Sequence, residues 1–274
     1  MMPSSLRKSF KRWLYGRCPG FAGAFPYYGI KIYFPKGSLL FDLACEQGVF
    51  EIDNVRLMQS LARPATTIFD IGANIGLMSA PLLVEKPACR VVSFEPSPNV
   101  LPFLQRTIAE SAHRNRWTLV PKAVGSQPGR LAFHLSDPAN SVYDGIRATN
   151  RAASVRQVEV EITTVDETWR DLGRPKVSLI KCDVEGAEWD VLQGARECLK
   201  AERPPVLLEW NRDNLAAYQR PPESLVHFAA ETGCALYSMP NLAEIHTAQQ
   251  LAVQMCLTES FLLYPNTSAP ALTP

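Results

Sequence analysis

The stretch from Thr67 to Gly76, Thr-Ile-Phe-Asp-Ile-Gly-Ala-Asn-Ile-Gly, constrains this chain more than any other. Ile68, Phe69 and Ile71 make a short β-rich apolar run around a single acid, Asp70, and the run then breaks into Gly72-Ala73-Asn74-Ile75-Gly76. A run of this kind, apolar on both faces, predicts a buried strand of a parallel sheet. The two glycines let the backbone turn sharply and approach a ligand, and a helix after Gly76 would aim its N-terminus there. A nucleotide-like cofactor is the sharp reading of this turn. The plainer one is an ordinary strand-to-helix connection.

A second run, Arg90-Val91-Val92-Ser93-Phe94-Glu95-Pro96, ends in an acid 19 residues beyond Gly76. An acid at about that distance, at the tip of the next strand, suits the two hydroxyls of a ribose. The turn departs from the dinucleotide pattern, because Asn74 stands where Gly-x-Gly-x-x-Gly has its second glycine. That glycine makes room for a pyrophosphate. A ribose-bearing cofactor without phosphates fits better, which points to S-adenosylmethionine.

Further apolar runs follow at the spacing of an α/β protein. Trp117–Val120, Val177–Asp183 and Pro205–Trp210 read as strands, with helices expected near Ile75–Val84, after Ser97-Pro98-Asn99, around Val191–Gly194 and over Ser224–Thr232. Pro81 predicts a kink or early end in the first of these. Asp166 reads as the cap of the helix carrying Trp169 and Leu172. Ala235–Met239 and Ser260–Tyr264 are the last expected strands, joined by a partly helical Asn241–Cys256. Asp70, Glu95, Asp183 and Glu209 all fall at expected strand ends, where open α/β sheets bind ligands.

The blocks IFDIGANIG, VVSFEPSP, KAVG, TTVDE, LIKCDVEGAEWDVLQGA and PPVLLEW occur in the order and rough spacing of the FkbM-type methyltransferases, a branch of the class I S-adenosylmethionine-dependent enzymes. The chain resembles that family from about Gly48 to Trp210. The resemblance implies a doubly wound, seven-stranded, mostly parallel Rossmann-like sheet with helices on both faces and a small N-terminal extension. With it the chain divides into residues 1–47, read from their own pattern as a basic helix and small cap, 48–265 as the methyltransferase domain, and a Pro-, Ser- and Thr-rich tail at 266–274 expected to be disordered. The cofactor turn would be Asp70, Gly72, Ala73, Asn74 and Gly76, with Glu95 on the ribose and Ala123 beside the adenine. Ser141 would match a small hydroxyl residue on a loop near the site, and Glu51 lies in a recurring block, where the plainer role is an acid at a helix start.

Composition narrows the classes. A net charge of +1 exerts no general pull on nucleic acid, and the Asn-Pro-Pro-aromatic block of amino-group methylases is absent after the fourth strand. No run of about 18 uncharged apolar residues occurs, so no membrane-spanning segment is expected, and nothing at the N-terminus reads as a signal peptide. Seven cysteines stand singly, as in a reducing compartment, and read as small buried hydrophobes. The expectation is a cytoplasmic enzyme. Residues 5–17 are the stretch suited to peripheral membrane contact: Leu6, Phe10, Trp13 and Leu14 recur at helical spacing among Arg7, Lys8, Lys11, Arg12 and Arg17. The same pattern serves a helix that packs on the domain or lies free in solvent, and that plainer use is the preferred one.

Methyl transfer to an alcohol needs a positioned acceptor and a base that takes the hydroxyl proton as the bond forms. Asp183 is the first candidate base, its rival role being to hold the cofactor's amino group. Glu185, Glu209 and His134 are the others, with Glu209 equally suited to binding Lys181 or Arg212. No His/Asp spacing supports a metal. The expected reaction is O-methylation of a sugar, glycolipid or secondary metabolite, a saccharide being favoured because Trp, Tyr and carboxylate groups around the crevice suit sugars. Segments 19–37 and 137–153 are candidate lids. The alternatives are a non-catalytic cofactor-binding module and, more remotely, a nucleotide-dependent oxidoreductase; oligomeric state is open.

Overall fold

A computed structural model of the chain describes residues 4–149, 151 and 155–266. In chain order the elements are α1 (Ser4–Arg17), β1 (Ala24–Tyr27), β2 (Ile30–Tyr33), α2 (Leu39–Gln47), α3 (Ile52–Leu61), β3 (Thr67–Ile71), α4 (Ser79–Glu85), β4 (Arg90–Phe94), α5 (Leu101–Glu110), β5 (Trp117–Val120), β6 (Ala123–Val124) and β7 (Gly129–Leu135). They continue with β8 (Arg156–Thr163), α6 (Val165–Asp171), β9 (Val177–Cys182), α7 (Glu188–Gln193), α8 (Arg196–Glu202), β10 (Val206–Glu209), α9 (Arg212–Ala217), α10 (Ser224–Thr232), β11 (Cys234–Ser238), β12 (Ala243–Ile245), α11 (Ala248–Gln254) and β13 (Ser260–Pro265).

Every residue of β3 and β9 is buried, as continuous apolar runs in a sheet covered on both faces should be. They lie at the centre of a sheet ordered β12-β11-β13-β10-β9-β3-β4-β5. β5, β4, β3, β9 and β10 run parallel, and β13, β11 and β12 pair antiparallel beyond them. The sheet has eight strands where seven were expected, because Ala243–Ile245 inside the last connection pairs with β11. Alternation along β3 divides two cores. Ile68 joins Val91 and Leu179 under α2–α5, while Phe69 and Ile71 join Val92, Ile180 and Leu208 under α6–α10. β7 and β8 pair outside the main sheet, with β6 beside β8, and the residues of β8 alternate in exposure as one wetted face requires.

Several local expectations are corrected. α4 begins at Ser79, not Ile75, so Pro81 lies in its first turn, where a missing N–H costs nothing, and causes no kink. The cap of α6 is Thr164, whose Oγ1 accepts from Glu167 N at 3.0 Å. Asp166 instead caps α8, accepting from Glu197 N at 3.0 Å and Cys198 N at 2.8 Å. The β1–β2 hairpin forms, but it packs on α5 through Tyr33 N and Thr107 Oγ1 rather than beside the expected crevice. The helix behind it, α2, has no counterpart in the sequence reading, although Ser38 caps it and Gly48 ends it with a positive φ. The expected disordered tail lies, from residue 267 on, outside the described residues.

Candidate active site

The carboxyl ends of β3, β4, β9 and β10 open on a cavity of about 310 Å³, at the lower end of the range for small-molecule sites. Gly72, Ala73, Asn74, Glu95 and Ala123 form one wall; Asp183, Glu185 and Glu209 form the other. Leu40 and Leu43 of α2 and the segment 141–144 close it over, so of the two expected lids the second borders the cavity and the first does not.

The first wall is held by backbone groups. Glu95 is buried at the tip of β4, its Oε2 accepting from Asn74 N at 2.8 Å and its Oε1 from Ser97 N at 2.7 Å. Burial pushes its carboxyl up to about 7, although those two N–H donors pull the other way. Asn74 adopts a left-handed φ of 46° and donates its amide to the Ser141 carbonyl at 3.3 Å, while its buried Oδ1 has no partner. Asp144 ties the covering segment to β4's tip, accepting from Ser97 Oγ at 2.6 Å and Asn99 Nδ2 at 3.0 Å. The glycines of the turn answer to neighbouring chain rather than to ligand. A Cβ on Gly72 would stand 1.8 Å from the Asp183 carbonyl oxygen, and one on Gly76 2.9 Å from the Trp117 ring. Gly76 does not reach the cavity.

Asp70 lies behind this wall, fully buried and outside the cavity lining. Its Oδ2 accepts from Ser79 Oγ at 2.6 Å, which spends the Ser79 proton, so Ser93 Oγ donates to Ser79 at 2.8 Å and itself accepts from Trp117 Nε1 at 2.8 Å. Lys181 reaches in from β9, its Nζ 3.7 Å from Asp70 Oδ1, 3.3 Å from Asp183 Oδ2 and 3.1 Å from the Gly72 carbonyl it donates to. Burial works against the ammonium, but the carboxylates of Asp183, Asp70 and Glu51 outweigh it and raise Lys181 above the ordinary lysine value. Asp70 therefore sets the turn through Ser79 and Lys181, and Lys181 bridges it to Asp183.

The second wall is crowded with acid. Oxygens of Asp183, Glu185 and Glu209 lie within 4.8 Å of one another, a grouping of the size a hard divalent cation uses. Arg151 donates from Nη1 to Glu209 Oε1 at 3.0 Å and Glu185 Oε2 at 3.4 Å, and from Nη2 to Glu259 at 3.4 Å. Asn214 Nδ2 donates to Glu185 at 3.1 Å and to Glu209 at 3.0 Å. Burial first, then the neighbouring Asp183 carboxylate, raises Glu185 to about 8, with Arg151 pulling back; the same two causes lift Glu209 well above the usual range. Asp183 is the most open of the three, its side chain 34% exposed. Glu188, behind the turn, accepts from Val184 N at 2.9 Å and Gly186 N at 3.3 Å and shapes the loop that carries Asp183 and Glu185.

The structure thus brings Glu95, Asn74, Ala123, Asp183, Glu185 and Glu209 to one cavity. His134 stays outside: Phe133 lines the cavity, and the two-residue period of β7 turns its neighbour to the opposite face, beside Gln157. Glu209 binds Arg151 and Asn214, not Lys181 or Arg212, and Arg212 instead donates to the Ala252 carbonyl at 2.6 Å. Among the described residues no tryptophan lines the cavity, since Trp117, Trp169 and Trp210 are buried in the cores; the aromatics there are Phe50, Phe94, Phe133 and Tyr143. Lys181 is the residue whose importance the sequence signals best, as a lysine inside a wholly buried strand. Arg151, Asn214 and Glu259 carry no such local signal.

Residues 70–228 match the model of the methyltransferase FkbM domain. The 2-O-methyltransferase NoeI of Sinorhizobium fredii is 27% identical over 164 residues, covering 54% of this chain and 65% of that protein. The hexuronic acid methyltransferase AglP of Haloferax volcanii is 27% identical over 153 residues, covering 55% of this chain and 59% of that protein. The chain thus matches less than two thirds of the length of either relative. Among solved structures, methyltransferase FkbM from Methylobacillus flagellatus KT is 19% identical, with a TM-score of 0.48 over 84% of this chain and 53% of the other.

Proposed function

The chain belongs to the FkbM methyltransferase family, and from that premise we propose that it moves the methyl group of S-adenosylmethionine to a hydroxyl of a sugar, glycolipid or secondary metabolite. The observation that carries the reading is the meeting, in one cavity, of a ribose-type acid with a partly open carboxylate on the facing wall. The residues fit the cofactor. Glu95 offers a carboxylate to two hydroxyls, and Asn74 Oδ1 is a buried acceptor without a partner, of the kind a ligand donor satisfies. Ala123 lines the same cavity and is the residue we assign to the adenine.

When bound, the sulfonium supplies an already activated methyl group, so what remains for the protein is orientation, dehydration and a proton. The covering segment 141–144 and α2 border the cavity on the side where solvent would enter. Asp183 has two roles open to it: taking the acceptor's proton in the transition state, or accepting from the cofactor's amino group. Lys181, its Nζ 3.3 Å from Asp183 Oδ2, holds that carboxylate in place for either. Glu185 and Glu209 act through Arg151, which fixes the loop facing the acceptor. The saccharide preference draws on the names of NoeI and AglP and on the Tyr143 and carboxylate lining.

The test is methyl-labelled S-adenosylmethionine offered with a panel of saccharides, glycolipids and polyketides. Label appearing in an alkali-stable ether of one acceptor supports the reading. Tight cofactor binding with no transfer to any acceptor would favour the binding-module alternative.

A further inference from the structure

Helix α1 turns its apolar side chains away from the protein. Leu6, Phe10 and Trp13, spaced i, i+4, i+7, are 52%, 47% and 52% exposed, and the Phe10 and Trp13 rings lie 6.0 Å apart. The opposite side of the helix makes the contact with the domain. Arg12 pairs with Glu46 at 2.9 Å and Asp42 at 3.4 Å on α2, Gly16 lies against Phe41, and Tyr15 packs on the core. The helix is therefore docked through Arg12, Tyr15 and Gly16, and its apolar stripe is left outward. Exposed Arg7 and Lys11 lie along one side of that stripe and Arg17 at its C-terminal end, while Lys8 falls on the Arg12 side, and no acid precedes Asp42.

We propose that α1 docks this protein on an anionic lipid surface, with Leu6, Phe10 and Trp13 in the boundary between headgroups and acyl chains and Arg7, Lys11 and Arg17 at the lipid phosphates. A helix that belongs to the core buries its apolar stripe against the core; this one buries the other side. A symmetric pairing of α1 with a second copy's α1 is a poor occupant, because α1 carries no acid to answer the partner's cations. An outward apolar stripe flanked by Lys and Arg is the pattern of a helix lying in the membrane interface. Three half-exposed side chains bind weakly alone. Each cation near an anionic surface adds on the order of fivefold, about 1 kcal/mol, so binding should depend steeply on lipid charge and on salt.

The placement bears on the cavity. α2 gives Asp42 and Glu46 to α1 and Leu40 and Leu43 to the cavity lining, so one helix width, about 10 Å, separates the two. If the methyl-transfer reading holds, on which this step alone rests, the glycolipid is the favoured acceptor class.

Flotation of the full chain with equimolar phosphatidylglycerol and phosphatidylcholine vesicles, without cofactor, tests the docking independently of any transferase activity. The expected result is binding that pure phosphatidylcholine vesicles and high salt both weaken at least fivefold, by the charge argument above. The double variant Phe10→Glu/Trp13→Glu should lose about tenfold or more in binding and keep the wild-type melting curve, since both side chains face solvent. No flotation, or equal flotation of the double variant, would overturn the proposal. So would a concentration-dependent dimer that the double variant dissolves, because the stripe would then belong to a second copy.

Discussion

On one wall of the cavity, Glu95 is held by the N–H groups of Asn74 and Ser97, all within one strand-helix-strand unit. On the other, Glu185 and Glu209 are held by Arg151 and Asn214, with Arg151 also donating to Glu259, side chains brought together from segments up to 108 residues apart. Backbone donors arrive with the fold and cannot leave it. Side-chain partners can be exchanged, and Arg151 sits in a long connection rather than on a strand. The difference teaches that the Glu95 wall, proposed for the cofactor, is made rigid by the sheet itself, whereas the Asp183 wall, proposed for the acceptor, is a set of side chains whose balance a bound group can alter.

The largest expected effect breaks the acceptor wall. Asp183→Asn should lower turnover by roughly 10²- to 10⁴-fold, the usual worth of a general base, if Asp183 takes the acceptor's proton. Unchanged turnover would move the base elsewhere. A loss of cofactor affinity instead would assign Asp183 to the cofactor's amino group. Next comes the bridge between the walls. Lys181→Met leaves Asp70 and Asp183 without their cation, and removing one partner of a buried pair costs about 3–5 kcal/mol, readable in urea unfolding. A loss below about 1 kcal/mol would mean that Ser79 alone supports Asp70.

Glu95→Gln should weaken cofactor binding by about 10- to 100-fold, the range for a hydrogen bond to a charged group. The same residue predicts a pH effect. Its carboxyl must be ionised to accept from two hydroxyls, and burial holds it near 7, so wild-type affinity should rise as pH climbs through about 7 and level off above it. The Gln variant should lack that rise.

The acceptor wall predicts a pH effect on stability. Glu185 is raised from 4.5 to about 8, so the folded protein keeps a proton that the unfolded chain releases. Its contribution is complete below the unfolded value and is lost as pH rises through the folded one. Urea midpoints should therefore fall between those two values, less steeply in Glu185→Gln; equal slopes would show that the carboxyl is not perturbed. The smallest effect is expected at His134→Ala, within about twofold of wild-type turnover, because a strand's period points it away from the cavity. A large loss there would refute the description of β7.

How much of this was legible followed the same division. The strand-turn-acid pattern of Thr67–Gly76 and Glu95 could be read because its parts are near in sequence and hydrophobic period marks the strands. The reason offered for its glycines was incomplete, however. Gly72 and Gly76 make way for the Asp183 carbonyl and the Trp117 ring, and those neighbours exist only in the folded sheet. Asp70 was assigned to the ligand because it ends a strand in sequence; its side chain faces the α4 side, where Ser79 and Lys181 claim it. α2 went unread because Leu39–Gln47 has a modest pattern between a hairpin and a glycine. Arg151 looked like one basic residue in a polar connection, and only tertiary placement sets it against three glutamates.

Calorimetric titration with S-adenosylmethionine, alongside NAD and the Glu95→Gln variant, tests the central claim most directly. The account predicts micromolar binding of S-adenosylmethionine, none of NAD, and a clear loss of affinity in the variant. Equal binding by wild type and variant, or no binding of S-adenosylmethionine at all, would contradict the assignment of the Glu95 wall to the cofactor.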